Sequence, residues 1–519
     1  MNRNDVLKKI QTSESFDIII IGGGATGIGS ALDASLRGYK TLLVEKSDFT
    51  KGTSSRSTKL IHGGVRYLAQ GDIFMVFEAL RERGYLMRNA PHIVHDQKFI
   101  IPNYRWWEGM FYTIGLTLYD LMSGFLSLGS SIHISKKKIN SFLPGIRQKG
   151  LFGGVVYHDA QFDDSRLAMD LLHAFFENRG LAINYFGVND IIKNSNGKVS
   201  GIAAIDNITG KEYNISASVV INATGVWVDN ILKMDYPGNK QLVRPSQGVH
   251  LILDKKFLPG GYALMIPKTD DGRVLFAVPW HDYIIVGTTD TPLNYAPEEP
   301  LPLKEEVEFI LRTAGKYLKL PPKRSDVLSV FAGLRPLATP KEHTSKTKEI
   351  SRSHKILVSK SNLITITGGK WTTYRKMAMD VVNRAEIIAG FPKVESQTKH
   401  FPIGRITSGT PEDDFLSIYG SRRENIIELV NQNPALNVRL HPAFSYIKAE
   451  VVWLCRTEMV EKLEDLMARR LRMLFLNAYA SIEIAPEVAG IAAIELGWTK
   501  LKMEDEIKSF IDLAQKYIL

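Results

Sequence analysis

A single cysteine, Cys455, in 519 residues excludes an intrachain disulfide and any cysteine-built metal cluster. It also suits a reducing compartment. HExxH, EF-hand and GxSxG patterns are missing, so neither a metal site nor a serine-hydrolase elbow is expected. The N-terminal stretch MNRNDVLKKIQTSESFD has no apolar core and does not read as a secretory signal. No charge-free run reaches the roughly 18 apolar residues of a spanning helix. The nearest approach, residues 106–128, carries Glu108 and Asp120 as well as Gly109, Gly115 and Gly124, and reads as a buried or surface-lying segment. Trp106, Trp107 and Tyr112 within it suit a membrane interface. The net charge of +10 is not gathered into a tail; its longest lysine run is Lys136-Lys137-Lys138. Nucleic acid is therefore disfavoured, which leaves an anionic membrane surface or an anionic substrate.

What is present is a globular composition, 44% hydrophobic and 23% charged, in a chain long enough for two or three domains. Residues 16–21, FDIIII, form an apolar β-branched run ending at glycines and read as a buried parallel strand. A helix over 25–38 and a second strand, TLLVE at 41–45, complete a βαβ unit. A Ser-, Thr- and Gly-rich segment covers 50–71, and a helical pattern follows over 72–89. The mixed segment 151–225 closes with a strand at 218–222 and the turn Ala223-Thr224-Gly225. Residues 243–300 are β-rich (VHLIL, YALMI, RVLFAVPW, YIIVGTTD) and predict an antiparallel sheet. A strand at 363–367 leads through Gly368-Gly369 into a helix over 371–389. The stretch FPIGRITSGTPEDD at 401–414 reads as a linker, with amphipathic helices beyond it and a domain boundary near 400.

The run Gly22-Gly23-Gly24-Ala25-Thr26-Gly27 sits where a dinucleotide fingerprint belongs, between strand and helix. Gly22 allows the tight turn, Gly24 lets backbone approach a pyrophosphate, and Gly27 lets helix and strand pack closely. The helix N-terminus offers N–H groups and partial positive charge to phosphates. Glu45 follows Gly22 by 23 positions, near the usual spacing of about 20, and suits ribose hydroxyls while repelling a 2′-phosphate. The fingerprint alone leaves FAD and NAD open. Two features favour FAD: the distant Gly368-Gly369 turn, whose helix N-terminus suits an electron-rich flavin ring, and the hydroxyl-rich stretch with Thr53, Ser54, Ser55 and Lys59.

The segments IIIIGGGATGIGSALDASLRG (18–38), TSSRSTKLIHGGVRYL (53–68), INATGVWVD (221–229), VPWHDYIIVGTTD (278–290), FAGLRPL (331–337) and TITGGKWTTYRKMA (365–378) together resemble the respiratory FAD-dependent glycerol-3-phosphate dehydrogenases. The block at 449–476 resembles that family's C-terminal helical domain, so the resemblance spans almost the whole chain. It implies an α/β, glutathione-reductase-like FAD-binding Rossmann-type domain with an antiparallel β substrate-binding cap and a C-terminal helical domain. On this reading FAD-binding segments lie at about 14–100, 150–242 and 330–395, the cap at 243–330, and the helical domain at 401–519. The implied reaction takes sn-glycerol 3-phosphate to dihydroxyacetone phosphate, with hydride to flavin N5 and electrons to a membrane quinone. The implied setting is a homodimer on the cytoplasmic, inner face of the cell membrane. An oxygen-using oxidase of the same family and an FAD amine or amino-acid oxidase are the alternatives.

Oxidising a secondary alcohol requires a base for the hydroxyl proton, and a phosphorylated substrate requires fixed cations. Arg335 and Arg352 resemble the family's phosphate-binding arginines, and Arg66, Tyr67 and Lys370 match further substrate positions. His62, in KLIHGG, and His250, before LIL, are the base candidates, with the choice between them open. Arg335 and Lys370 join them as candidate catalytic groups. Gly225 and Thr372 fall in the family's cofactor motifs. The basic helix with Arg469, Arg470 and Arg472 is read either as packing inside the C-terminal domain or as lying on an anionic membrane.

Overall fold

A computed structural model of the chain describes residues 1–65, 72–270, 272–338, 354–404 and 415–519. Strand Phe16–Ile21, with almost every side chain buried, is the centre of the first sheet because it has no polar face to turn toward water. It pairs in parallel with Thr41–Val44 on one side and with Glu212–Asn222 on the other. Leu181–Ile183 and Ile364–Thr367 extend the parallel order outward. Helices Ala25–Leu36 and Tyr374–Ala389 pack on each other so closely that a Cβ at Gly29 would lie 2.7 Å from the Tyr374 ring. The two glycine turns read in the sequence therefore open at one edge of one sheet, although more than 300 positions separate them.

Among the described residues the second sheet has ten strands. Val243–Asp254 and Val327–Ala338 pair along their lengths, and Tyr283–Gly287, Leu275–Trp280 and Ala263–Ile266 continue the antiparallel order. The cap does not stop at 243–330. Ala263–Leu264 pairs in parallel with Phe99–Ile100, and strand His95–Asn103 brings in Gly153–Gln161, Ile132–Ser135 and Leu60–Ile61. The segments assigned wholly to FAD binding thus give strands to the cap. These strands meet through long-range pairing with no local turn to announce it.

Alternation along Val243–Asp254 divides the cap between two cores. Val249, Leu251 and Leu253 pack with Val307 and Ile310 of helix Lys304–Tyr317. Ile252, Phe331 and Val278 face Trp453, Leu463 and Phe475 of the C-terminal helices. The helical region thus shares a core with the cap. The part of the expected linker from 405 to 414 lies outside the described residues.

Buried ion pairs lock this junction. Arg470 donates to both carboxylate oxygens of Asp48 (2.8 and 2.9 Å), and Arg472 to Asp164 at 3.0 Å. Arg166 donates to Glu458 at 2.5 Å. These pairings correct the membrane reading of the basic helix: Arg469, Arg470 and Arg472 are buried in the protein interior. Burial alone would raise Glu458 and Asp48, but Arg166 at the one and Arg470 with Arg469 at the other hold both carboxyls below their usual range.

Among the described residues no helix is long and apolar enough to cross a membrane. Two helices nevertheless turn apolar faces outward. Phe74 in Ile73–Asn89 is 79% exposed, and Phe111 and Leu121 in Glu108–Ser123 are 62% and 73% exposed.

Candidate active site

At the end of the central strand the chain turns at Gly22, where φ is +112° and a Cβ would lie 2.7 Å from the Ala223 carbonyl oxygen. Helix Ala25–Leu36 then starts with Gly24 as an N-cap that has no side chain to close it. A cleft opens there. Gly22, Gly24, Thr26 and Glu45 line its start, Phe186, Val188, Ile231 and Met234 form an apolar wall, and it runs on to Gly368, Gly369, Lys370 and Trp371. Gly225, Lys51, Thr53 and Ser54 complete its walls. The Glu45 carboxylate accepts from Gly23 N at 2.6 Å and Ser47 N at 2.9 Å. Burial raises its pKa and those two bonds oppose the rise. Its fixed oxygens keep acceptor capacity for hydroxyls. An apolar wall for a purine, an open helix N-terminus for a pyrophosphate and a second glycine turn at the far end fit the length and chemistry of FAD.

The hydroxyl-rich loop ties these parts together. Ser54 Oγ accepts from Ala25 N at 2.9 Å, and its carbonyl accepts from Trp371 Nε1 at 2.9 Å. Thr53 Oγ1 donates to Leu334 O at 2.6 Å. Lys59 does not reach the cleft, which corrects its assignment to the cofactor. Its buried ammonium donates to Ser55 O at 2.7 Å and Asp164 at 2.5 Å, and lies 5.2 Å from the Trp280 ring centroid. Burial and then Arg472 push this ammonium down to about 7, against the pull of Asp164 and Asp163. Ser55 is likewise buried, its carbonyl also taking Arg472 at 2.8 Å. Gly27 serves packing, with a hypothetical Cβ 1.9 Å from Gly22 O. Thr372 sits behind the cleft and donates to His62 O at 3.4 Å.

The substrate candidates divide between two walls. Ser246, Gly248 and His250 share one face of their strand, in register with Arg335, Gly333 and Phe331. The loop crosses this face, since a Cβ at Gly333 would lie 2.6 Å from Arg56 O. Arg335 donates to Thr289 O at 2.9 Å and Thr288 Oγ1 at 3.1 Å, and lies 3.3 Å from Asp290. His250 is buried, stacks on Phe331 at 5.0 Å, and places Nε2 2.9 Å from Thr58 Oγ1. Burial first, then Arg335 and Lys59, push its pKa well below 6.5, so the imidazole is neutral. On the other wall, the Thr372 bond brings half-buried His62 to the GGKW block, where Lys370 Nζ lies 4.0 Å from Met75 Sδ. Arg66, Tyr67 and Arg352 lie outside the described residues. Thr58, Thr288, Asp290 and Trp227, which lines the cleft, are further residues of these walls that the sequence pattern does not single out, although each falls in a family-like motif.

A family model described as FAD dependent oxidoreductase matches residues 17–375, more than half of the chain. This chain belongs to the FAD-dependent oxidoreductase family. A second model, the C-terminal domain of alpha-glycerophosphate oxidase, matches residues 361–503. Within the family the chain is 37% identical to the mitochondrial glycerol-3-phosphate dehydrogenase of Rattus norvegicus, over 98% of this chain and 74% of that protein. The Schizosaccharomyces pombe protein of the same name is 34% identical, over 98% and 89%. The structure of glycerol-3-phosphate dehydrogenase from Bacillus halodurans, complexed with FAD, superposes with a TM-score of 0.80 at 27% identity, covering 100% of this chain and 98% of that one. L-alpha-glycerophosphate oxidase from Mycoplasma pneumoniae shares the fold, with a TM-score of 0.56 at 17% identity over 74% and 97%. These likenesses place the chain among the glycerol-3-phosphate dehydrogenases of the family, with FAD as cofactor.

Proposed function

We propose that this enzyme oxidises sn-glycerol 3-phosphate to dihydroxyacetone phosphate and passes the electrons to a membrane quinone. The observation that carries the reading is the placement of Arg335, with its guanidinium fixed on the cap face that borders the cofactor loop, while Lys370 stands at the end of the cleft. Arg335 and Arg352 bind the phosphate, and Arg66, Tyr67 and Lys370 are further substrate contacts. Gly22, Gly24, Glu45, Ser54, Gly225, Gly368 and Gly369 hold FAD, which when bound supplies the two-electron acceptor for the carbon-bound hydrogen. The alcohol proton needs a base. An imidazolium at buried His250 is costly, so His62 takes the proton and neutral His250 orients the Thr58 hydroxyl. His62→Ala should lower kcat by about 100-fold or more, with FAD still bound. An unchanged kcat removes His62 from this role.

The exposed apolar faces of Ile73–Asn89 and Glu108–Ser123 support a peripheral seat on the inner face of the cell membrane, where a lipid-soluble quinone is at hand. The homodimer rests on family resemblance and is tested by light scattering of the purified enzyme. The match of residues 361–503 to a glycerophosphate oxidase domain favours oxygen as the alternative acceptor. Stopped-flow reoxidation separates the two: fast return with a soluble quinone and slow return with air is expected, and fast return with air plus stoichiometric peroxide reverses the assignment.

A further inference from the structure

Arg335 does not stand alone on its strand. Its Nη1 donates to Thr289 O at 2.9 Å and lies 3.3 Å from Asp290 Oδ1, while Nη2 donates to Thr288 Oγ1 at 3.1 Å. The same Asp290 oxygen accepts from Ser246 Oγ, and Ser246 is the cross-strand register partner of Arg335. The guanidinium passes over Gly248 so closely that a Cβ there would sit 2.4 Å from Nη2. The acceptors behind it are themselves pinned. Buried Glu306 accepts from Thr289 Oγ1 at 2.7 Å and Thr291 Oγ1 at 2.6 Å, on either side of Asp290, and Val249 N donates to Thr289 Oγ1 at 3.0 Å. The arginine side chain keeps 24% exposure against 7% for the aspartate, so the carboxylate lies on the buried side of the pair.

We propose that Asp290 is the positioning residue for Arg335, setting the plane in which the guanidinium meets the phosphate of the substrate. The proposal rests on the assignment of Arg335 to that phosphate. A guanidinium binds phosphate through two parallel N–H groups, and that fork works only if its plane is fixed before the anion arrives. Charge alone predicts the opposite effect. A carboxylate beside the arginine partly cancels its attraction for an anion, so removing it would tighten phosphate binding.

The test measures KM and kcat for sn-glycerol 3-phosphate and the competitive Ki of inorganic phosphate on the FAD-loaded holoenzyme. For Asp290→Ala, KM and Ki should rise together by about 10- to 100-fold, the loss of one charged hydrogen bond. The change in kcat should stay within about fivefold. Asp290→Asn keeps an acceptor oxygen for Arg335 and should return both constants to within about threefold of wild type. Values for Asp290→Ala that stay unchanged or fall, with FAD retained, overturn the proposal. Arg335→Ala separates the two layers. If it leaves KM and Ki unchanged, the phosphate assignment itself fails; if it raises them while Asp290→Ala does not, only the positioning role fails. Should Asp290→Ala not fold, Ser246→Ala carries the test by releasing one side of the carboxylate: a parallel rise in KM and Ki supports the proposal, and no rise overturns it.

Discussion

Gly27→Ala adds one methyl group where the nucleotide-binding helix meets its strand. That Cβ would sit 1.9 Å from Gly22 O and 3.1 Å from Gly22 C, whereas ordinary contact begins near 3.4 Å. The shortfall, 3.4 less 1.9, is 1.5 Å, and both obstructing atoms are backbone. The helix therefore has to lift. Overpacking of this kind costs about 1–3 kcal/mol of stability. The cost to cofactor binding is separate. An N–H group at about 2.9 Å from a phosphate oxygen no longer bonds after such a displacement. Each charged hydrogen bond lost is worth about 1.5–3 kcal/mol, so the Kd for FAD should rise about 10- to 100-fold per bond. Fluorescence titration of the apoprotein reads the affinity, and urea unfolding reads the stability. Gly38→Ala is the control: φ is +92° with no neighbour within 4 Å, so it strains a turn far from any packing contact and should leave FAD affinity intact. A Gly27→Ala protein that binds FAD within about threefold of wild type shows that the helix N-terminus does not depend on this contact.

Three further outcomes follow from the buried charges and the exposed faces. Arg472→Met removes a buried partner of Asp164 and Ser55 O, and should cost about 3–5 kcal/mol in urea unfolding; a cost below about 1 kcal/mol contradicts the interior role. Glu458 and Asp48 have folded pKa values below their unfolded ones, so their stabilisation is complete above the unfolded values near 4 and drains away as pH falls from there. Tryptophan fluorescence should report a loosening C-terminal junction below about pH 4, and a stability flat from about pH 5 to 3 would be the contrary result. Replacing Phe74 and Phe111 together by serine should weaken sedimentation with anionic vesicles at least about tenfold while flavin reduction in solution is unchanged; undiminished sedimentation removes these faces from the membrane.

The nucleotide half of the fold was legible because its signals are local. FDIIII is apolar but for Asp17, the glycines follow it directly, and Glu45 comes immediately after the next strand, Thr41–Val44. The long-range half was not. His95–Asn103 (HDQKFIIPN) and Gly153–Gln161 (GGVVYHDAQ) are mixed segments whose destination depends on partners such as Ala263–Ile266, far along the chain. Lys59 illustrates the same gap at one residue. In a hydroxyl-rich loop it reads as a cofactor contact, and only Asp164, 105 positions away, reveals a buried pair. Arg469, Arg470 and Arg472 on an apolar helix resemble a membrane-facing stripe until Asp48 and Asp164 meet them from the other domain. Burial of a charge is decided by the partner, and periodicity carries no record of the partner. The substrate wall was half legible: Arg335 stood out as a cation in a family motif, but the Thr288–Asp290 cradle behind it, although it closes a second such motif, has no charge pattern that singles out these residues as its partners.

Anaerobic titration of the purified holoenzyme with sn-glycerol 3-phosphate, followed by the visible absorbance of the flavin, measures the assigned reaction itself. Stoichiometric bleaching with dihydroxyacetone phosphate as product, no bleaching by free glycerol at the same concentration, and recovery of the band on adding a soluble quinone are expected. A flavin that stays oxidised with glycerol 3-phosphate and is bleached by an amino acid would contradict that assignment.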